Sequence, residues 1–121
     1  MASRHSTAQT ILSIVRTDRT FELLPFTEGT VWQGKCIHCQ SKLLIRPSGE
    51  PISRATIEHI VPRHHGGTDD PSDLALACAR CNNLKGKRLD ARRLSDPTLQ
   101  RVIALLQARR LQRLRPDPDD G

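Results

Sequence analysis

The sequence has no tyrosine, a single tryptophan, two phenylalanines and one methionine. So few rings give little support to a base-stacking platform, and the apolar core must come mainly from Leu, Ile, Val and Ala. No stretch approaches the run of roughly 18 apolar residues that spans a bilayer. The start, Met1 to Thr10, also lacks the charged-then-apolar order of an export signal. No membrane association and a cytoplasmic location are therefore expected. A length of 121 residues is short for anything beyond one compact domain and excludes a multidomain enzyme. A core this small needs reinforcement.

Acidic residues are outnumbered. Lys and Arg total 19 against 13 Asp and Glu, a formal charge of +6, and the sequence pI is about 9.8. Such a balance is common in nucleic-acid-binding domains. It is also local, because residues 80–115 hold 11 of the basic residues and only two acids. A run of this kind is either a nucleic-acid track or a solvated helical face.

Composition separates four segments. Residues 1–34 carry apolar residues (Ile11, Leu12, Ile14, Val15, Phe21, Leu23, Leu24, Phe26) that fit neither a helix nor a strand template and are interrupted by Pro25. This segment reads as packing material, with Phe21, Phe26 and Trp32 as core residues. Residues 35–90 contain short apolar runs, Lys42 to Arg46, Ala55 to Ile60 and Leu74 to Ala77, bounded by Pro47, Gly49, Pro51, Pro62 and Gly66-Gly67. They predict strands, followed by a helix from Ala79 that ends near Gly86 or Lys87. Residues 91–115 predict a basic helix capped by Ser95 or Asp96, with Pro97 at its first position. The acidic end, 116–121, is expected to be disordered.

Cys36 and Cys39 make one CxxC, and Cys78 and Cys81 a second. Two such knuckles supply the tetrahedral thiolate set that zinc prefers. Disulfides are the rival reading, but a cytosolic chain would keep them reduced. His38 stands between the first two thiols and reads as a bystander, since four cysteines already close the site. A structural zinc contributes on the order of 10 kcal/mol of apparent binding free energy, so the ion should be needed for folding. It would also staple the ends of the segment that lies between the knuckles.

That segment holds Thr56-Ile57-Glu58-His59-Ile60-Val61-Pro62, then Gly66-Gly67, then Ser72-Asp73-Leu74, and it runs into Cys78, Cys81 and Asn82-Asn83-Leu84-Lys85-Gly86. Here the sequence resembles the HNH endonucleases, over about Cys36 to Arg88. Their pattern is an acid-His pair on a strand, Pro and Gly-Gly in the next loop, Asn-Leu before the second knuckle, and CxxC followed by His or Asn. The resemblance implies an α+β fold, a small ββα-metal (His-Me finger) core stapled by a four-cysteine zinc site, with an added C-terminal helix. It further implies that His59 is the general base acting on the attacking water, and that Glu58 and Asn82 hold one catalytic divalent ion. Asp73 falls where the family usually has Asn, the residue that fixes the loop and orients the His. Its main-chain carbonyl can serve that role, whereas a carboxylate meeting the imidazole would shift the working range toward higher pH.

The chemistry asks for the same residue types. Hydrolysis of an anionic phosphodiester needs a base near neutral pH and a cation on the phosphate oxygens. An unperturbed imidazole, with a pKa of about 6.5, meets the first need. Two oxygen ligands leave positions open on Mg²⁺, Mn²⁺ or another divalent transition metal. One geometric obstacle stands out, because strand neighbours point to opposite faces, so the strand must twist or end at Glu58-His59. Lys85, Lys87 and Arg88, with His64 and His65 from the loop, are candidate contacts to nucleic acid. Arg92, Arg93, Arg101, Arg109 and Arg110 are candidates to extend that track. The expected activity is metal-dependent cleavage or nicking of DNA, most simply double-stranded, by a monomer or homodimer of bacterial or phage type. The alternative is a zinc-stabilised nucleic-acid-binding module without catalysis.

Overall fold

The computed structural model describes residues 6–118. Residues 1–5 and 119–121 lie outside the described residues; they include the start of the segment read for an export signal and the end of the acidic tail. The order of elements is α1 (Thr7–Arg16), β1 (Glu22–Pro25), β2 (Thr30–Lys35), β3 (Lys42–Ile45), β4 (Ala55–His59), β5 (Leu74–Cys78), α2 (Ala79–Lys85) and α3 (Pro97–Arg113). This is an α+β fold.

The N-terminal segment is more regular than its sequence suggests. Helix α1 begins with a capping box: the Ser6 hydroxyl accepts from the Gln9 amide at 3.1 Å, and the Gln9 side chain accepts from the Ser6 amide at 2.9 Å. Ile11, Ile14 and Val15 then share a buried face that packs against β5. The Thr17 hydroxyl closes the helix by donating to the Ser13 carbonyl at 2.7 Å. Strands β1, β2 and β3 form an antiparallel sheet in that order. Phe21 packs flat on Gly34 of β2, where an added Cβ would enter its ring. The expectation for the aromatics holds for Phe21, which is fully buried, and in part for Trp32. It fails for Phe26, which is 40% exposed beside the turn joining β1 to β2.

Strands β4 and β5 pair as a separate antiparallel ribbon, with Ala55 opposite Cys78, Glu58 opposite Ala75 and His59 opposite Leu74. Leu74, Ala75, Leu76 and Ala77 are all buried, so β5 is the central element of the core. This explains why its sequence is a continuous apolar run without alternation. The ribbon leads directly into α2, which closes in a π-helical turn over Gly86–Asp90. Helix α3 starts as its sequence predicts, with Asp96 accepting from the Thr98 and Leu99 amides at 3.0 Å and Pro97 in the first turn.

The arginines at the C-terminal end of α3 are not a solvated face. Arg110 is 1% exposed and donates to the carbonyls of Leu74, Thr17 and Pro71 and to the Thr17 hydroxyl, at 2.8 to 3.0 Å. Arg113 donates to the Lys35 and Cys36 carbonyls and to the Gln40 side chain, with Asp18 at 3.7 Å. Arg109 donates to the carbonyls of Ile37 and His38. Just past the helix, Arg115 reaches the Val15, Arg16 and Phe21 carbonyls. A guanidinium presents five donors in a fixed fork. These four forks tie α1, the first knuckle and the entry to β5 onto one helix.

Candidate active site and metal centre

The two knuckles converge. Cys36 to Cys39 form a turn after β2, and Cys78 and Cys81 lie at the junction of β5 and α2. Their four sulfurs lie within 4.8 Å of one another, and Cys39 Sγ is 3.9 Å from Cys78 Sγ. Tetrahedral Zn–S bonds of about 2.3 Å imply sulfurs about 3.8 Å apart, so the cluster has the dimensions of a four-thiolate zinc site. Main-chain amides already point at the sulfurs: His38 and Cys78 donate to Cys36 Sγ, and Cys81 donates to Cys78 Sγ, at 3.3 to 3.5 Å. The Ser41 hydroxyl, 3.0 Å from Cys39 Sγ, and the Ser41 amide favour the Cys39 thiolate and bring its pKa down to about 6. Burial pushes the Cys36 and Cys81 thiols up. The four sulfurs are thus placed where they could hold one metal ion.

Strand β4 carries the acid-His pair and keeps its pleat to its last residue. Glu58 is 1% exposed and turns inward. His59, the final residue of β4, turns toward the loop that follows. Neighbours on the strand therefore diverge, and the structure does not bring Glu58 and His59 side by side. Glu58 Oε1 instead lies 2.6 Å from His38 Nε2, while Glu58 Oε2 is buried with no hydrogen-bond partner among the described residues. Asn82, in α2, donates to the Thr56 hydroxyl at 3.0 Å and to the Ile57 carbonyl at 3.1 Å. Thr56 and Glu58 share a face of β4, so Asn82 is attached to the Glu58 side of the strand. The Asn82 side-chain oxygen makes no hydrogen bond among the described residues.

On the other side, His59 Nε2 is 2.8 Å from Asp69 Oδ1 and 3.0 Å from Arg63 Nε, and Arg63 also donates to Asp69 at 3.1 Å. The hydrogen bond from His59, then Arg63, holds the Asp69 carboxyl below the usual carboxylate range. Asp69 is thus the acid that meets the imidazole. Sequence reasoning misses it, since only its place just after Gly66-Gly67 in the loop marks it. Asp73 uses its carboxylate elsewhere, to accept from the Thr68 hydroxyl, and its carbonyl accepts from the Ile60 amide at 3.2 Å. Both contacts fix the loop ends next to His59. Gly66 adopts φ +94°, and a Cβ on Gly67 would collide with the Val61 carbonyl, so the Gly-Gly pair is a steric requirement of this loop.

Several residues expected on the nucleic-acid face are used internally. Lys85 is 3% exposed and donates to the His59 carbonyl at 3.2 Å and to Asp90 at 2.8 Å. His64 and His65 donate to the Asp90 and Arg92 carbonyls at 2.7 and 2.8 Å, pinning the His59 loop to the segment after α2. Arg109 and Arg110 belong to the clamp described above. The exposed basic side chains without a hydrogen-bond partner among the described residues around α2 are Arg80, Lys87, Arg88 and Arg93. A cleft of about 470 Å³ opens between α2 and α3, with His38, Lys85 and Arg88 among the residues lining it.

A hairpin running into a short helix, with four cysteines gathered at the β5–α2 junction where they could hold a zinc ion, defines a ββα unit. The HNH endonuclease family matches residues 36–88, the span that carries every feature of this unit. Neither the curated proteins nor the solved structures give a match. The match supports a nuclease-type function in general, and the four cysteines are placed for a metal ion. Among the described residues no helix is long and apolar enough to cross a membrane.

Proposed function

We propose that the protein is a metal-dependent endonuclease that hydrolyses phosphodiester bonds of DNA in the cytoplasm, with His59 as general base and Glu58 and Asn82 holding one divalent cation. The observation that carries this reading is the polarity of β4. One face presents a buried carboxylate with an unsatisfied oxygen and an amide oxygen free to coordinate. The next residue presents an imidazole beside an acid. The donor set suits Mg²⁺ or Mn²⁺, since a carboxylate and a carboxamide are hard oxygen ligands that leave room for water and phosphate. When bound, the ion supplies charge neutralisation on the phosphate and on the departing oxygen.

In-line displacement at phosphorus needs its base and its cation on opposite sides of the reacting atom. Glu58 and His59 part at the end of β4, so a phosphate would reach both the His59 ring and a cation on Glu58 and Asn82 only past that end, where the strand stops at His59. His59 takes the proton of the attacking water through an imidazole nitrogen, and Asp69 and Arg63 hold the ring in place. Arg88 and Lys87 meet the flanking phosphates. Products carry 5′-phosphate and 3′-hydroxyl ends.

The test is relaxation of supercoiled plasmid by the zinc-loaded protein with added Mg²⁺ or Mn²⁺. Wild type is expected to nick, and His59→Ala to lose cleavage with its zinc content unchanged. Equal cleavage by the two proteins removes His59 from the reaction. Salt-sensitive binding to DNA without cleavage in any divalent metal leaves a zinc-stabilised binding module.

A further inference from the structure

Sequence alone assigns His38 no task, yet its ring makes the only side-chain hydrogen bond to Glu58 among the described residues. Glu58 is wholly buried, and a buried carboxylate normally has both oxygens bonded. Here Oε1 lies 2.6 Å from His38 Nε2 and Oε2 has no hydrogen-bond partner among the described residues. This asymmetry is what a carboxylate prepared for one-oxygen coordination looks like: one lone-pair set tied down by a donor, the other kept bare. Ligating carboxylates in metal sites are commonly held in this way by an outer hydrogen bond, which fixes their rotamer and keeps the coordinating oxygen aimed.

His38 is itself held from three directions. It sits between the zinc-cluster cysteines Cys36 and Cys39, its amide donates to Cys36 Sγ at 3.4 Å, and its carbonyl accepts from Arg109 at 3.1 Å. His38 also lines the cleft between α2 and α3.

We propose that His38 is a positioning residue for the catalytic cation. Its Nε2–H donates to Glu58 Oε1, leaving Oε2 as the coordinating atom, and it transmits the geometry of the zinc knuckle to the second metal site. This rests on the assignment of Glu58 as a cation ligand made above. The structural ion then does more than hold the fold: by fixing the first knuckle it fixes the donor that aims the carboxylate.

The experiment measures Mn²⁺ binding to the zinc-loaded full chain by electron paramagnetic resonance of free Mn²⁺, beside plasmid cleavage. Loss of an outer-shell partner costs about 10- to 100-fold in metal affinity. His38→Ala is expected to weaken Mn²⁺ by at least about 10-fold while keeping one zinc per chain. His38→Gln, which retains a side-chain N–H donor, is expected to recover most of that loss. A merely structural His38 would not produce this rescue at constant zinc content. A variant-free measurement guards against misfolding of the Ala protein: in wild type, substoichiometric Mn²⁺ should broaden the ring resonances of His38 before those of His64 and His65. Unchanged Mn²⁺ affinity in His38→Ala, equal weakness of the Ala and Gln variants, or broadening that spares His38 overturns the proposal, even while metal-dependent cleavage stands. Wild type that neither binds Mn²⁺ nor cleaves removes the reading of Glu58 on which it depends.

Discussion

Replacing Arg110 by Met tests whether the basic C-terminal helix is a structural clamp. Arg110 makes four hydrogen bonds to α1, to the turn before β5 and to the start of β5. Its acceptors differ in how much they depend on it. The Thr17 carbonyl also accepts from the Arg115 amide, and the Pro71 carbonyl from the Leu74 amide. The Leu74 carbonyl, by contrast, takes its side-chain donor from Arg110 alone, at 2.8 Å in the buried core. A buried acceptor left without a donor costs about 1–3 kcal/mol, and each charged hydrogen bond lost from an acceptor that keeps another partner costs somewhat less.

Two effects oppose this. Met fills much of the volume, and its introduction relieves the burial that lowers the pKa of Arg110, although the attraction to Asp18 is lost with it and exceeds the repulsion by Arg113 that is removed. The balance is a destabilisation of about 3 kcal/mol, a large part of the ~5–15 kcal/mol that holds a small domain together. Urea unfolding at fixed free Zn²⁺ reads it as a lower midpoint with an unchanged slope. The control is Arg101→Met on the exposed side of α3, where the guanidinium bonds only Thr98 at 3.4 Å; it is expected to cost less than about 0.5 kcal/mol. Equal midpoints for the two variants would refute the clamp and return these arginines to the solvent-facing track that composition suggests.

Removal of zinc by a chelator is expected to unfold the chain, seen as loss of far-ultraviolet dichroism that returns with added Zn²⁺, because ~10 kcal/mol of binding free energy rivals the whole fold. Asp69→Asn should slow plasmid cleavage at unchanged zinc content, since it weakens the contact that holds the His59 ring at 2.8 Å; an unchanged rate would separate Asp69 from His59. Arg88→Ala and Lys87→Ala should each lower the salt slope of DNA affinity by about one with stability unchanged, while Arg109→Ala should lower the unfolding midpoint instead. The Asp96 carboxyl lies below its ordinary range, chiefly through the bond from the Leu99 amide, so its contribution is present above that range and is lost as pH falls through its depressed value. Asp96→Asn keeps the capping oxygen without the titration, and its urea midpoint should therefore fall less on acidification than that of wild type.

What the sequence discloses follows from how local each determinant is. The Cys36/Cys39 and Cys78/Cys81 knuckles, the strand runs of β3 to β5 and the Asp96-Pro97 start of α3 are set by spacing or by caps a few residues long, and the structure reproduces them within a residue or two. Helix α1 has an equally local signal, Ser6 with Gln9 three residues on, but its apolar positions are crowded by the later Phe21 to Phe26 run and mask the period. The arginines are a different case. Periodicity distinguishes faces by polarity, and Arg110 is polar by composition yet fully buried, because carbonyls of Thr17, Pro71 and Leu74 converge on it from elements up to 93 residues away. No window of sequence contains that information.

The candidate site divides along the same line. Alternation along a strand is local, and it raised the obstacle that Glu58 and His59 face apart unless the strand twists or ends; β4 does end at His59, yet the two side chains stay apart. Which groups receive them is not local: His38 comes from a knuckle 20 residues before Glu58, and Asp69 from a loop 10 residues after His59. Both partners are placed by chain closures, one by the thiolate cluster and the other by the Gly66-Gly67 turn together with the Asp73 and Thr68 contact. The residues proposed for chemistry are thus legible as a motif, whereas those proposed to aim them are fixed only once the closures form. For that reason His38 and Asp69, and not the motif residues alone, are where substitution should separate loss of the fold from loss of aim.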